Sequence, residues 1–152
     1  IRNIDIVADE FKQLTSDLHG SLDTVFALNV VEHIQNDHLA VKNMLSLLKP
    51  GGELIILVPA FQLLFNNFDR ELMHYRRYNR KSLNNLLLKN SNITLKKSFY
   101  FNSLGIAGWF VAGSVLKKKL IPSGNMKLFN NLVPIAKVLD KITSEFAGLS
   151  VV

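Results

Sequence analysis

Two short polar clusters contain the residue types that could carry chemistry. One is Glu32 with His33, and a histidine near its unperturbed pKa can accept a proton from a hydroxyl or amine nucleophile. The other is the run HYRRY at residues 74–78, whose arginines can bind carboxylate or phosphate in a bidentate manner. So compact a run favours a small anionic ligand over nucleic acid, which requires basic residues across a broad face. Plainer interpretations stay open: a structural or capping role for the first cluster and a solvated helix face for the second.

The elements that must position these clusters are predicted between residues 22 and 59. Apolar runs at 23–28 and 53–58 have the length of strands buried on both faces. Between them, Asn36 or Asp37 can cap a helix at 37–49, which Pro50 and the two glycines after it should end. Two strands joined by such a helix lie parallel in a right-handed βαβ unit, and ligands bind beyond their carboxyl ends. Residues 29–33 and 59–61 are therefore expected on the binding side.

The remaining sequence predicts further elements of an α/β domain. Strands are expected at 4–8 and 93–101, with local helix near 10–19. Helices are expected at 80–90, at 104–119 and at 126–142, and Pro134 should kink or break the last of them. A turn is expected at 122–125.

Composition limits the class of protein. The chain has 152 residues, enough for one domain, with 48% hydrophobic and 20% charged residues. It contains no cysteine, which excludes disulfides and thiolate metal sites and fits a cytoplasmic location. A net charge of +6 is weak evidence for a nucleic-acid or anionic-membrane partner.

One apolar segment, 104–116, is followed by three lysines. It is shorter than the roughly twenty residues that a helix needs to span a bilayer. We expect a buried or partly covering helix here; the alternatives are an interfacial helix, with Trp109 and Phe110 entering the membrane beside the lysines, and a truncated spanning helix. The interfacial alternative would make the protein membrane-associated through residues 104–119.

A family resemblance is carried by the pattern D-x-V-x-x-x-N-V-x-E-H-I at 23–34 and by L-K-P-G-G-x-L at 48–54. Together these resemble the fourth strand, following helix and fifth strand of class I S-adenosylmethionine-dependent methyltransferases. The resemblance implies a Rossmann-like α/β sheet with strand order 3-2-1-4-5-7-6 and S-adenosyl-L-methionine as cofactor. Parts of residues 64–102 are similar to a bacterial and archaeal subgroup that is often fused or adjacent to glycosyltransferases of the dolichol-phosphate-sugar synthase type.

The same resemblance leads us to expect an incomplete domain. The glycine-rich loop that follows the first strand in this family has no counterpart here, and residues 4–8 resemble the third strand. We therefore interpret residues 1–152 as the C-terminal part of a single methyltransferase domain, with strands one and two absent and the last strand truncated. Such a fragment should be inactive alone, and its exposed sheet edge could pair with a second copy.

The resemblance also implies roles for particular residues. In the family, an acidic residue after the third strand binds the adenine, which here would be Asp9 with Glu10, and residues after the fourth strand lie along the cofactor. The plainer alternatives are a loop acid or helix cap for Asp9 and plain core for the two valines. We expect cofactor binding by Asp9, Glu10, Asn29, Val30 and Val31, catalysis by His33 and Tyr75, and substrate binding by His74, Arg76, Arg77 and Tyr78.

No metal site is expected from the sequence. Some family members carry E-x-x-E-H at this point and bind a divalent metal with those side chains. Here Asn29 occupies the place of the first glutamate, and an amide oxygen is a weaker metal ligand than a carboxylate.

The predicted function is methyl transfer from S-adenosyl-L-methionine to a small-molecule acceptor, either anionic or lipid-linked. One alternative is a degenerate, non-catalytic domain that acts as interaction partner of a glycosyltransferase. Another is a different Rossmann-type enzyme, such as a nicotinamide-dependent one.

Overall fold

A four-stranded sheet organises the residues that the computed structural model describes, which are 3–89, 93–117 and 126–152. In spatial order its strands are β1 (Leu22–Leu28), β2 (Leu48–Pro59), β4 (Ser150–Val151) and β3 (Tyr100–Phe101). β1 and β2 are parallel, whereas β4 runs antiparallel to both β2 and β3. The sheet is therefore mixed, with one parallel pairing of strands and two antiparallel pairings.

Helices connect and cover these strands. The α-helices are α1 (Phe11–Leu14), α2 (Asp37–Leu47), α3 (Asn67–Glu71), α4 (Arg80–Leu88), α5 (Ser103–Trp109) and α6 (Met126–Thr143). Two single 3₁₀ turns, Val31–His33 and Gln62–Leu64, follow the two long strands, and α5 continues as a π-helical segment, Phe110–Val115. Among the described residues, no helix combines the length and the apolar character needed to cross a bilayer.

The predicted βαβ unit is confirmed. β1 pairs with β2 from Thr24 opposite Glu53 to Leu28 opposite Leu57. Asn36 caps α2 by accepting a hydrogen bond of 3.1 Å from the Leu39 N–H. The helix ends at Leu47, earlier than predicted, because Pro50 and its glycines lie inside β2, where Gly51 adopts a φ of +79° that favours glycine.

The hydrophobic core lies on one face of this unit. Ala27 and Ile56, which are partners across β1 and β2, are buried together with Val41 and Met44 of α2 and Leu83 of α4. The opposite face is less covered, since Phe26 is 68% exposed and Ile55, its partner across the strands, is 41% exposed.

Three predicted elements differ in the structure. The prediction of a strand at 4–8 is wrong, because residues 3–10 form turns and irregular chain and pair with no strand of the described sheet. The strand at 93–101 is reduced to Tyr100–Phe101, the two residues opposite β4. The helix at 104–119 is divided into α5 and the π-helical segment, and its last two residues lie outside the described part.

The helices predicted at 80–90 and at 126–142 are both present in the structure. The helix at 80–90 is confirmed as α4, where Asn79 accepts from the Ser82 N–H at 2.8 Å. The C-terminal helix is confirmed as α6, which passes through Pro134 without a break, so that a kink there stays a prediction. The turn at 122–125 lies outside the described residues.

Candidate functional site

A cavity of about 320 Å³ lies at the carboxyl ends of β1 and β2. Ligands of parallel α/β sheets bind at this edge. The cavity is lined by Asn29, Glu32, His33, Pro59, Leu72, His74, Arg77, Trp109, Leu149 and Ser150.

The end of β1 positions Asn29, Glu32 and His33 at the cavity. The Asn29 N–H continues the ladder to the Leu57 carbonyl at 2.8 Å, but the residue itself has a φ of +53°. Asparagine tolerates this left-handed conformation better than most residues, and the change of direction ends the strand. The 3₁₀ turn Val31–His33 follows at once and places Glu32 and His33 at the cavity.

A second segment, 72–78, brings the other polar residues to the same place. The Tyr75 N–H donates to the Glu32 carbonyl at 2.8 Å, and the Tyr78 N–H donates to the Pro59 carbonyl at 2.9 Å. Met73 adopts a φ of +57°, a strained conformation that turns the chain just before His74. As a result the rings of His33 and His74 meet edge-on with centroids 4.6 Å apart.

Asp69 fixes the orientation of this segment. Its carboxylate is fully buried and accepts from His74 Nδ1 at 2.8 Å, Arg77 Nε at 2.7 Å and the Asn66 N–H at 2.9 Å. Burial alone would raise the pKa of Asp69, but these hydrogen bonds outweigh it and hold the pKa below its usual value. Asp69 is therefore a carboxylate acceptor at neutral pH, and the histidine nitrogen facing it is the donor.

Glu32 differs from Asp69 in having no partner. The residue is 0% exposed, and both carboxylate oxygens lack a hydrogen-bond partner within the described part of the chain. Burial raises the pKa of Glu32, although His74 and Arg77 act in the opposite direction. Burial lowers the pKa of His33, although hydrogen bonds to the Leu72 and Met73 backbone act in the opposite direction, so this imidazole is neutral near pH 7.

The structure brings four of the predicted site residues together. Asn29, His33, His74 and Arg77 all line the cavity. Tyr75, which was predicted to be catalytic, is 54% exposed and is absent from the cavity lining, so its role stays a prediction.

Most of the predicted anion-binding residues are engaged inside the protein. Arg77 is buried, donates to the Ala60 carbonyl at 3.0 Å in addition to Asp69, and lies over the Trp109 ring at 4.6 Å. Arg76 pairs with Asp37 at 2.6 Å, and the buried Tyr78 hydroxyl donates to the same carboxylate at 2.9 Å. Burial raises the pKa of Tyr78, so the phenol is un-ionised. Acceptor binding by these side chains stays a prediction.

The predicted cofactor residues lie in different surroundings. Val31 is part of the hydrophobic core, as the alternative interpretation held, whereas Val30 is 42% exposed. Asp9 and Glu10 are exposed and precede α1 in a turn instead of ending a strand. Cofactor binding by all of these residues stays a prediction.

Sequence reasoning missed two residues that shape the site, Asp69 and Trp109. The run Asn66-x-x-Asp69 carries a usable signal, because it forms a capping box at the start of α3. Trp109 carries no such signal, since only the tertiary fold brings α5 to the cavity.

Comparison with known proteins identifies the family. A family described as "Methyltransferase domain" matches residues 2–97, which is more than half of the chain and includes both strands that end at the cavity. The chain belongs to the class I S-adenosylmethionine-dependent methyltransferases. The observed order β1-β2-β4-β3 corresponds to strands 4-5-7-6 of that family's sheet, so the predicted fold is confirmed.

A solved structure and a curated protein extend this comparison. The crystal structure of a SAM-dependent methyltransferase from Archaeoglobus fulgidus superimposes with a TM-score of 0.54 at 17% identity, covering 95% of this chain and 63% of that one. The tRNA U34 carboxymethyltransferase of Syntrophotalea carbinolica is 44% identical over 39 residues, which are 26% of this chain and 12% of that protein. The chain thus spans less than two thirds of the solved structure, and the curated match is a short segment.

Proposed function

We propose that this chain takes part in methyl transfer from S-adenosyl-L-methionine to a small-molecule acceptor, and that the acceptor's reacting atom lies in the cavity beside Asn29 and His33. The observation that carries the proposal is the position of this cavity, at the carboxyl ends of β1 and β2 within the family-matched residues. Cofactors of doubly wound α/β folds bind at this edge of the sheet.

Methyl transfer makes simple demands on such a site. S-adenosyl-L-methionine would supply an activated methyl group, which an oxygen or nitrogen of the acceptor would take up, with S-adenosylhomocysteine as the second product. The protein must hold both partners in register and must take up the acceptor's proton. A neutral His33 at the cavity suits that proton transfer. Next to it, a hydrogen bond to the buried Asp69 holds the ring of His74 in the cavity lining.

The lining of the cavity supports a small acceptor. Its polar end is formed by Glu32, His33 and His74, and its apolar walls include Leu72, Trp109 and Leu149. A volume of about 320 Å³ is at the lower end of what small-molecule sites offer. The name of the tRNA-modifying relative does not decide the acceptor here, because the similarity covers only 26% of this chain.

Calorimetric titration of the protein at its full natural length tests the proposal. We expect saturable binding of S-adenosylhomocysteine and no binding of a nicotinamide dinucleotide, which would occupy the same edge of a different Rossmann-type enzyme. Absence of S-adenosylhomocysteine binding at millimolar ligand would contradict the proposal and favour the non-catalytic alternative.

A further inference from the structure

Three side chains with metal-binding groups converge at the polar end of the cavity. Glu32, His33 and His74 each offer one ligand atom, and these atoms all lie within 4.8 Å of one another. We propose that this group, which we call the Glu32 triad, binds a divalent transition cation such as Zn²⁺.

The buried carboxylate of Glu32 is the first support for a ligand at this point. Both of its oxygens are inaccessible and without a hydrogen-bond partner among the described residues. A buried polar group left in this state is energetically costly, and native structures contain few of them. A cation between Glu32 and the two imidazoles would supply the missing partner.

The environment of His74 is the second, independent support. Histidine ligands of metals nearly always donate their other ring N–H to a carboxylate or carbonyl, which fixes the ring and its tautomer. His74 Nδ1 does this to Asp69 Oδ1 at 2.8 Å, so Nε2 is the nitrogen left for a ligand. Asp69 is itself held by Arg77 and the Asn66 main chain, which makes this arrangement rigid.

The donor set indicates the class of cation. Two imidazoles with one carboxylate are typical of zinc and of other first-row transition metals, whereas Mg²⁺ and Ca²⁺ prefer oxygen ligands alone. Ligand atoms about 2.1 Å from a shared tetrahedral zinc lie roughly 3.4 Å apart. Ligand atoms that are up to 4.8 Å apart must therefore approach one another by as much as about 1.4 Å on binding.

The proposal replaces the expectation that the chain has no metal site. That expectation was based on Asn29, which stands where metal-binding relatives have a first glutamate. In the structure the third ligand is instead a histidine from a distant segment, so the ligand set is different and favours a softer cation. The spacing of residues in the sequence gives no indication that His74 lies beside Glu32 and His33.

Any catalytic role for the cation depends on the proposed function, because a metal here would polarise an acceptor hydroxyl and ease its deprotonation. Binding itself depends on neither cofactor nor acceptor. It can therefore be tested without them, and its failure leaves the result with S-adenosylhomocysteine unaffected.

Competition against a chromogenic chelator, in the absence of cofactor, measures binding of Zn²⁺ and Co²⁺. We expect one cation per chain with micromolar or tighter affinity and no competition from Mg²⁺. His74→Ala should weaken binding at least tenfold, and a folded Asp69→Asn variant, which lacks the carboxylate that supports His74, about 10- to 100-fold. The matched control is His19→Ala, which removes an exposed histidine outside the triad and should leave the affinity unchanged.

A second measurement on the unmodified protein avoids variants that fail to fold. In spectra of ¹⁵N-labelled histidine rings, addition of Zn²⁺ should shift the resonances of His33 and His74 and leave those of His19 and His38 in place. The proposal would be overturned if no stoichiometric binding occurs at a Zn²⁺ concentration 100-fold above the expected dissociation constant. It would also be overturned if only the resonances of His19 and His38 respond. Equal affinity of a folded His74→Ala variant would overturn it as well.

Discussion

At the scale of single residues, Asp69 connects most of the polar contacts behind the cavity. It joins the start of α3 to His74 and to the guanidinium of Arg77, whose side chain is only 1% exposed. Such a buried pair has little net effect when both partners are present, but removing one partner leaves a charge without compensation.

Replacing Asp69 by asparagine should therefore lower the free energy of unfolding by about 3–5 kcal/mol, since Arg77 stays buried and positively charged. The measurement is urea denaturation followed by circular dichroism. The control is Glu145→Gln, which removes an exposed ion pair with Arg80 and should change the free energy by less than about 1 kcal/mol. Equal, small effects of both substitutions would show that Asp69 does not stabilise the segment.

Single residues also mark the limit of what the sequence could predict about the site. His33 and Asn29 were identified because they follow a recognisable strand, and the structure places both at the cavity. The contact between His33 and His74 was not predictable, because it depends on the strained turn at Met73 and on the buried partner Asp69. Neither feature has a local sequence pattern that fixes where it lies in space.

At the scale of elements, β4 contributes Ser150 to the cavity lining, and β3 pairs with β4 along its other edge. Gly148 precedes β4, and a Cβ at this position would collide with the main-chain nitrogen and oxygen of Phe101 in β3. The two strands can approach only because this residue has no side chain.

Substituting Gly148 by alanine should separate β3 from β4 and lower the free energy of unfolding by about 1–3 kcal/mol, as overpacking typically does. The matched control is Gly108→Ala in α5, where the added Cβ meets nothing within 4 Å. Because alanine is the better helix former, this second variant should be neutral or more stable by up to about 1 kcal/mol. Thermal unfolding of the two variants side by side tests whether the approach of β3 and β4 requires this glycine. A Gly148→Ala protein as stable as the unmodified protein would contradict it.

The helices beside these strands bear on the predicted membrane contact. Phe110 and Val115 are 47% and 61% exposed on the π-helical segment, and Ile142 is 69% exposed on α6. Exposed apolar residues next to lysines are typical of helices that lie in the membrane interface. Contact with a lipid surface through this region stays a prediction.

Cosedimentation with vesicles that contain phosphatidylserine tests this prediction. We expect binding that weakens as salt is raised, and a several-fold lower bound fraction when Phe110 and Val115 are both replaced by serine. Leu63→Ser is the control, because Leu63 is 92% exposed but lies on a different segment. Equal binding of both variants would exclude this surface as the contact.

At the scale of the whole molecule, the parallel pair of β1 and β2 was the best-predicted feature. Two apolar runs joined by a capped helix have essentially one right-handed arrangement, and the structure has it. Residues 4–8 show the opposite case, since a strand needs a neighbour to pair with, and in the described chain none lies beside them. Pairing is decided by the whole fold, which a local apolar run does not reveal.

One edge of the described sheet is also open. Within the described residues β1 pairs only with β2, so its other edge is open, and Phe26 and Leu28 beside it are 68% and 50% exposed. Open apolar edges tend to pair with a second chain.

We therefore predict that this chain self-associates as its concentration rises, which light scattering after size-exclusion chromatography would detect. Phe26→Lys should shift the protein towards the monomer, because a charge on the edge opposes pairing. Leu63→Lys adds the same charge outside β1, in the 3₁₀ turn that follows β2, and should have no effect. A monomer at every concentration would contradict the prediction.

The central claim is that the cofactor's sulfur and the acceptor meet at the carboxyl ends of β1 and β2. A crystal structure of the protein at its full natural length with S-adenosylhomocysteine tests it most directly. The account predicts the homocysteine sulfur next to Asn29, at the mouth of the cavity that holds His33 and His74. S-adenosylhomocysteine bound elsewhere, with that cavity closed off from it, would contradict the account.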